Sequence, residues 1–393
     1  MKAFSGMTLI SCRGDERIRD AVALVRDGRI AGAGRREEMD IPADAKVVDL
    51  TGSTLLPGLI DSHVHCVLDA TGDPMGNAAG ESPATSALKA AGHLRATLEA
   101  GVTYIRDLGG RDYVDVDLRD AVRAGLIPGP SMQVAGRIIT MTGGHGHPIG
   151  READGVGDVA RAAREQLKAG VDVVKVIATG GVMTPGVEPG CAQMSEEEMA
   201  VAVREAHNAG RKVATHAQGT SGIKNAIRAG VDSVEHGIFL DEEAVQMMKE
   251  AGVYLVPTLV APHWIVEAGV EGGIPEYAVR KAQSVMESHL ASFRMAREAG
   301  VRIAMGTDAG TPFNRHGQNA YELKLMVEAG MSPMDAILSA TRVAAELLGV
   351  QDEVGTIEEG KRADMIVVSG DPLADIDEML DVREVYVAGE RVV

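Results

Sequence analysis

His63 and His65 flank Val64 at the end of the run Leu55-Leu56-Pro57-Gly58-Leu59-Ile60-Asp61-Ser62. Residues i and i+2 of a β-strand point to the same side, so two imidazoles here would face one point. Neutral imidazole is the commonest protein ligand for zinc and similar metals. A lone His-x-His is weak evidence, and its meaning depends on what else shares its end of the fold. Four further segments supply ionisable residues. Lys175 lies amid Val173-Val174-Lys175-Val176-Ile177. His216 closes Val213-Ala214-Thr215-His216. His236 closes Val231-Asp232-Ser233-Val234-Glu235-His236. Asp308 closes Ile303-Ala304-Met305-Gly306-Thr307-Asp308. Taken singly, each has an ordinary explanation as a hydrogen-bonded core residue or a turn cap. Lys175 is the hardest to explain so, because an amine inside an apolar strand is costly unless paired or neutral. If CO2 adds to it, the carbamate is an anion able to bridge two metals; a lysine paired with a carboxylate is the other reading.

These residues need elements that bring them together. Ala-Gly recurs at 100–101, 124–125, 169–170, 209–210, 229–230, 251–252 and 299–300, each pair closing an amphipathic stretch and preceding an apolar run. Glycine is the preferred residue just past a helix, where the backbone turns left-handed. The runs predict strands near 55–65, 102–107, 131–136, 172–178, 212–217, 231–236, 253–257 and 301–307. Strands alternating with helices imply a parallel sheet, and eight of them suit an α/β (β/α)8 TIM barrel, whose chemistry sits at the C-terminal strand ends. Four histidines and the aspartate then share one rim, with Lys175 nearby. No Gly-x-Gly-x-x-Gly opens a helix after the first strand, which disfavours a dinucleotide fold. Residues 1–56 and 356–393 read as short strands and turns, including Asp27-Gly28 between apolar runs. They predict a small β-sandwich domain formed by both termini, around a 57–355 barrel domain.

The 393 residues carry a net charge of -18, which argues against nucleic acid or an anionic membrane as partner. Cys12, Cys66 and Cys191 are too few and too scattered for a disulfide framework or a cysteine zinc site. Cys66, next to His65, is expected to point into the shell. Met1 to Arg19 has no apolar signal-type core, and no stretch approaches the ~20 apolar residues of a membrane span. A cytoplasmic enzyme acting on a small molecule is the expectation.

Six stretches carry a resemblance to the amidohydrolase superfamily: Leu56 to His65, Val174-Lys175-Val176-Ile177-Ala178-Thr179-Gly180-Gly181, Thr215-His216-Ala217, Val234-Glu235-His236-Gly237, Gly306-Thr307-Asp308, and Gly355 to Asp364. Within it the chain resembles, end to end, the imidazolonepropionase-related group that includes metal-dependent prolidases and Xaa-Arg/Lys dipeptidases. The resemblance implies two divalent metal ions, with zinc expected and manganese or cobalt able to share such ligands. His63, His65 and Asp308 would hold one, His216 and His236 the other, and carboxylated Lys175 would bridge them with a hydroxide. Asp308 would serve as general base and then acid. His145, in Thr142-Gly143-Gly144-His145-Gly146-His147, would approach the substrate carbonyl. The implied reaction is hydrolysis of a C–N bond in a dipeptide or N-acyl amino acid by a homo-oligomer. Arg137, Arg151, His263 and Arg315 are candidates for a substrate carboxylate. Gln218 departs from relatives with an aromatic or His there. Hydrolysis of a cyclic amide, phenylurea or carbamate is the rival on the same metal site. Deamination fits less well because such enzymes lack the bridging lysine, and a non-catalytic scaffold would be expected to have lost ligands.

Overall fold

A computed structural model describes residues 1–393. The chain divides into two compact units, one of residues 1–61, 95–104 and 317–393, the other of 62–94 and 105–316. No helix is long and apolar enough to cross a membrane.

The first unit holds an eight-stranded mixed sheet. Its centre is Thr54–Pro57, paired in parallel with Lys2–Ile10 on one side and antiparallel with Met365–Val368 on the other. The terminal segments expected to stack as a β-sandwich are instead hydrogen-bonded into one sheet. Lys2–Ile10 takes two successive partners along one edge. Its first half pairs with Lys46–Asp49 and its second with Thr54–Pro57, so both partners join a single ladder. Phe4, Met7, Leu9, Leu55, Met365 and Tyr386 pack on one face.

The second unit alternates strands and helices. A parallel sheet orders Ile139–Thr140, Val173–Ile177, Lys212–Ala217, Ser233–His236 and Tyr254–Val256, with Arg151–Glu152 at its edge. Leu59–Val64, Val102–Asp107 and Ser131–Val134 form a three-stranded sheet, the first three residues of the first two strands falling in the first unit. Hydrogen bonds do not close these into one continuous ladder. The run predicted at 301–307 forms no strand and contributes a single parallel bridge, Ile303 to Leu255. All seven Ala-Gly glycines take positive φ, from +68° to +92°. Four of them directly cap Gly155–Ala169, Thr220–Ala229, Glu242–Ala251 and Glu276–Ala299. Each cap halts a helix in the left-handed conformation and redirects the chain into the next apolar run. That repeated reversal carries the C-terminal ends of successive strands to one side.

Candidate active site

Parallel register brings the polar residues together. Ile177 pairs with His216, and Ala217 pairs with His236, so the histidines lie on adjacent strand ends. Lys175 sits one rung below, opposite Ala214. His63 belongs to Leu59–Val64, and His65 follows its end. Asp308 N–H donates to the His63 carbonyl at 2.7 Å, which swings the carboxylate toward the same point. Asp308 and His236 both hold positive φ, +61° and +72°. Non-glycine residues there cost on the order of 1–3 kcal/mol, a strain that clusters at functional sites.

The ligating atoms of His63, His65 and Asp308 lie within 4.8 Å of one another. Nε2 of both histidines stands 3.3 Å from Asp308 Oδ1. His236 is 5.3 Å from His63 and 4.5 Å from His216, ring centre to ring centre. The other ring nitrogens are anchored. His65 Nδ1 donates to the Gly109 carbonyl at 2.7 Å, and His236 Nδ1 is 2.7 Å from Thr258 Oγ1. His63 Nδ1 lies 3.0 Å from Glu235 Oε2. Lys175 Nζ and His216 Nε2 are sealed from solvent without a hydrogen-bond partner.

Burial first, then the nearby charge of Lys175, holds His63 well below its ordinary pKa. Burial also lowers His216, followed by the neighbouring imidazoles His145 and His236. Burial pushes Lys175 down to about 8, partly opposed by Glu235 and Asp308. Burial would raise Asp308, but His63 and His65 together bring it below the usual carboxylate range. His63 and His216 are thus biased toward neutral imidazole and Asp308 toward carboxylate, the protonation states that bind divalent metal. Burial would lower His65 too, but its hydrogen bond to Asp308 outweighs burial and raises it.

These residues floor a cavity whose walls are largely aliphatic, including Ile138, Ile149, Ile177, Val182, Met183 and Ile265. His145 lines it, its ring stacked 4.1 Å from His216 and its Nδ1 2.8 Å from Thr184 Oγ1. His147 is exposed, with Nδ1 donating to the Gly144 carbonyl. Arg137, Arg151, His263 and Arg315 are all absent from the lining. Arg137 donates to the Gly150 carbonyl, and Arg151 is paired with Asp158 and Glu165. Gln218 does line the cavity. Cys66 is buried, as expected, and burial followed by Asp107 pushes its thiol well up.

Residues 54–392 match the amidohydrolase family. The chain belongs to that family. It is 35% identical over 394 residues to ochratoxinase of Aspergillus niger, covering 92% of this chain and 80% of that protein. Imidazolonepropionase of Symbiobacterium thermophilum is 25% identical over 400 residues, with 91% and 87% covered. A solved Xaa-Pro dipeptidase with methionine in its active site superposes with a TM-score of 0.92 at 35% identity, covering 99% of each chain. This amidohydrolase is accordingly a hydrolase of carbon–nitrogen bonds. The family is generally metal-dependent, and the His63, His65 and Asp308 group is suited to metal.

Several supporting residues escape sequence reading: Glu235, Thr258 and Thr184 each orient one imidazole. Glu235 gave the only signal, as a carboxylate within an apolar strand. Gly181 is a further support. A Cβ there would lie 2.8 Å from His145 Cε1 and 3.0 Å from His216 Cε1. Gly181→Ala is therefore expected to leave the fold intact but displace both rings. Misplacing a reacting group by about 1 Å can cost ~100-fold in rate. Steady-state kinetics beside a thermal melt check this, and an unchanged kcat would show that the rings do not need that space.

Proposed function

We propose that this amidohydrolase cleaves the amide bond of a dipeptide or N-acyl amino acid bearing apolar side chains, using two divalent ions, zinc expected, at the floor of the cavity. The observation that carries the reading is the pair of orphaned atoms, Lys175 Nζ and His216 Nε2, beside the His63, His65 and Asp308 group. An unpartnered buried polar atom costs about 1–3 kcal/mol, and a metal set spanning all six residues removes that cost. CO2 addition to the Lys175 amine, releasing one proton, turns the orphan into an anionic ligand. His63, His65 and Asp308 would hold one ion, His216 and His236 the other, with Lys175 between.

When bound, such ions lower the pKa of water and polarise a carbonyl oxygen. Asp308 accepts the proton from the attacking water and returns it to the leaving nitrogen, base and then acid. Thr184 Oγ1 accepts from Gly181 N–H at 3.0 Å. Its own proton is then available to His145 Nδ1, which assigns the ring proton to Nε2. Burial, followed by Lys175, keeps His145 neutral, with a pKa down to about 3. Its Nε2–H is then a fixed donor for the oxygen that gains charge. The aliphatic walls exclude water and favour apolar side chains by ~25 cal/mol per Å² buried.

We further infer that the two parallel sheets of this unit are arcs of one (β/α)8 barrel. Parallel bridges from Leu255 to Ile303 and from Val64 to Ala309 support it, because they place 303–309 between the last and first strands.

A panel of Xaa-Xaa dipeptides and N-acyl amino acids, run beside hydantoins and phenylureas, tests the reading. Apolar dipeptides or N-acyl amino acids should lead in kcat/KM, with residues carrying Arg, Lys, Asp or Glu trailing at least tenfold. Hydantoins or phenylureas in the lead would sink the assignment.

A further inference from the structure

Beneath His63 lies a sealed polar chain that the reaction does not touch. Arg106, on Val102–Asp107, is only 1% exposed, and Glu235 is 0% exposed. Arg106 Nη2 donates to Glu235 Oε1 at 2.9 Å. Its Nη1 donates to Ser233 Oγ at 3.1 Å, and its Nε to the Ser62 carbonyl at 2.6 Å. Ser233 Oγ in turn donates to Glu235 Oε1 at 2.5 Å. Two of these bonds, from Arg106 Nη2 and Ser233 Oγ, end on the same carboxylate oxygen, Glu235 Oε1. The other, Oε2, is buried with no hydrogen bond of its own and stands 3.0 Å from His63 Nδ1.

A buried ion pair is seldom retained for stability, since apolar residues of similar volume often do as well or better. The geometry here suits another use. His65 and His236 are oriented by neutral oxygens, those of Gly109 and Thr258. Of the three, only His63 has a carboxylate against its Nδ1. A carboxylate behind a ligating imidazole fixes its tautomer and raises its basicity. Arg106 supplies the opposite charge to that carboxylate at 2.9 Å, where no water reaches it.

We propose that Glu235, fixed in place by Arg106 and Ser233, is the positioning residue that keeps the His63 proton on Nδ1 and presents Nε2 to the metal. The inference rests on the metal reading above and adds to it the residue that sets the strength of one site. It makes the site of His63, His65 and Asp308 the tighter of the two.

Cobalt(II) serves as the probe, titrated into the chelated full-length protein against a competing chelator. The double variant Arg106→Met/Glu235→Leu removes both charges together, so no unpaired ion is left buried. Its metal-free melting temperature should equal or exceed that of the parent, while affinity at the tighter site falls ~10–100-fold. The ligand-field absorption of the first cobalt bound should also change. Parental cobalt affinity in this variant overturns the inference. Should the double variant not fold, Glu235→Gln is titrated instead. Its amide oxygen still accepts from Nδ1 and only the charge is gone, so parental affinity there overturns the inference equally. A parent chain that takes up no cobalt overturns the metal reading itself, and the inference with it.

Discussion

Replacing Lys175 by methionine should give a metal-free protein more stable than the parent and nearly devoid of turnover. The two effects share one cause. Lys175 Nζ is buried and meets no hydrogen-bond partner, while its stem lies on a strand whose neighbours are all apolar. Methionine has similar length and no polar end. It should therefore recover about 1–3 kcal/mol, the usual penalty of an unpaired buried polar group. The same change deletes the ligand proposed to lie between the two ions. Losing several kcal/mol of charge stabilisation in the transition state corresponds to roughly 10²–10⁴ in rate. Thermal melts in chelator give the first quantity, and kinetics with metal restored give the second. A variant less stable than the parent would mean that Lys175 has a structural partner, and the bridging role would lose its support.

The second large effect is expected at Asp308. Asparagine keeps the shape of the side chain and its backbone bond to His63, but it cannot cycle a proton. General acid–base catalysis by a placed group contributes typically ~10²–10⁴-fold, so kcat of Asp308→Asn should fall by about that factor. Metal content is measured in the same preparation, because Asp308 Oδ1 also stands 3.3 Å from both His63 and His65. A loss of activity with metal retained isolates proton transfer. Retention of more than a tenth of the parental kcat with metal bound would exclude Asp308 as the proton carrier.

Much of this site is legible in the linear sequence because strand-end polar residues interrupt apolar runs. Lys175, His216, His236 and Asp308 each stand out in that way, and the Ala-Gly pairs give the reversals that align them. Other features are settled only by tertiary contacts. The predicted strand over 55–65 breaks at Gly58, where the hydrogen-bond partners change. Gly58 N–H donates to the Asp364 carbonyl and Leu59 N–H to Gly101. Thr54–Pro57 and Leu59–Val64 consequently belong to different sheets. Pro57-Gly58 marks a break locally, but nothing local says which sheet each half will join. The arginines named for a substrate carboxylate illustrate the converse. Arg151 lies on the short edge strand Arg151–Glu152, and Asp158 and Glu165 on the following helix engage it. The pairing of Arg106 with Glu235 is not legible in the sequence because it spans 129 positions.

The central place of Thr54–Pro57 bears on how the chain comes to be folded. One edge of that strand is satisfied early by Lys2–Ile10, while the other waits for Met365–Val368. Roughly 300 residues separate the two, about 15–60 s of translation at ~5–20 residues per second. Throughout that interval an apolar strand edge stands open on the ribosome. Open edges invite pairing with other chains, so the growing chain is most exposed to aggregation before its last thirty or so residues emerge. Slow, sequence-distant pairing of this kind also limits refolding in vitro. Truncation after the catalytic segments should leave not a smaller enzyme but an insoluble one.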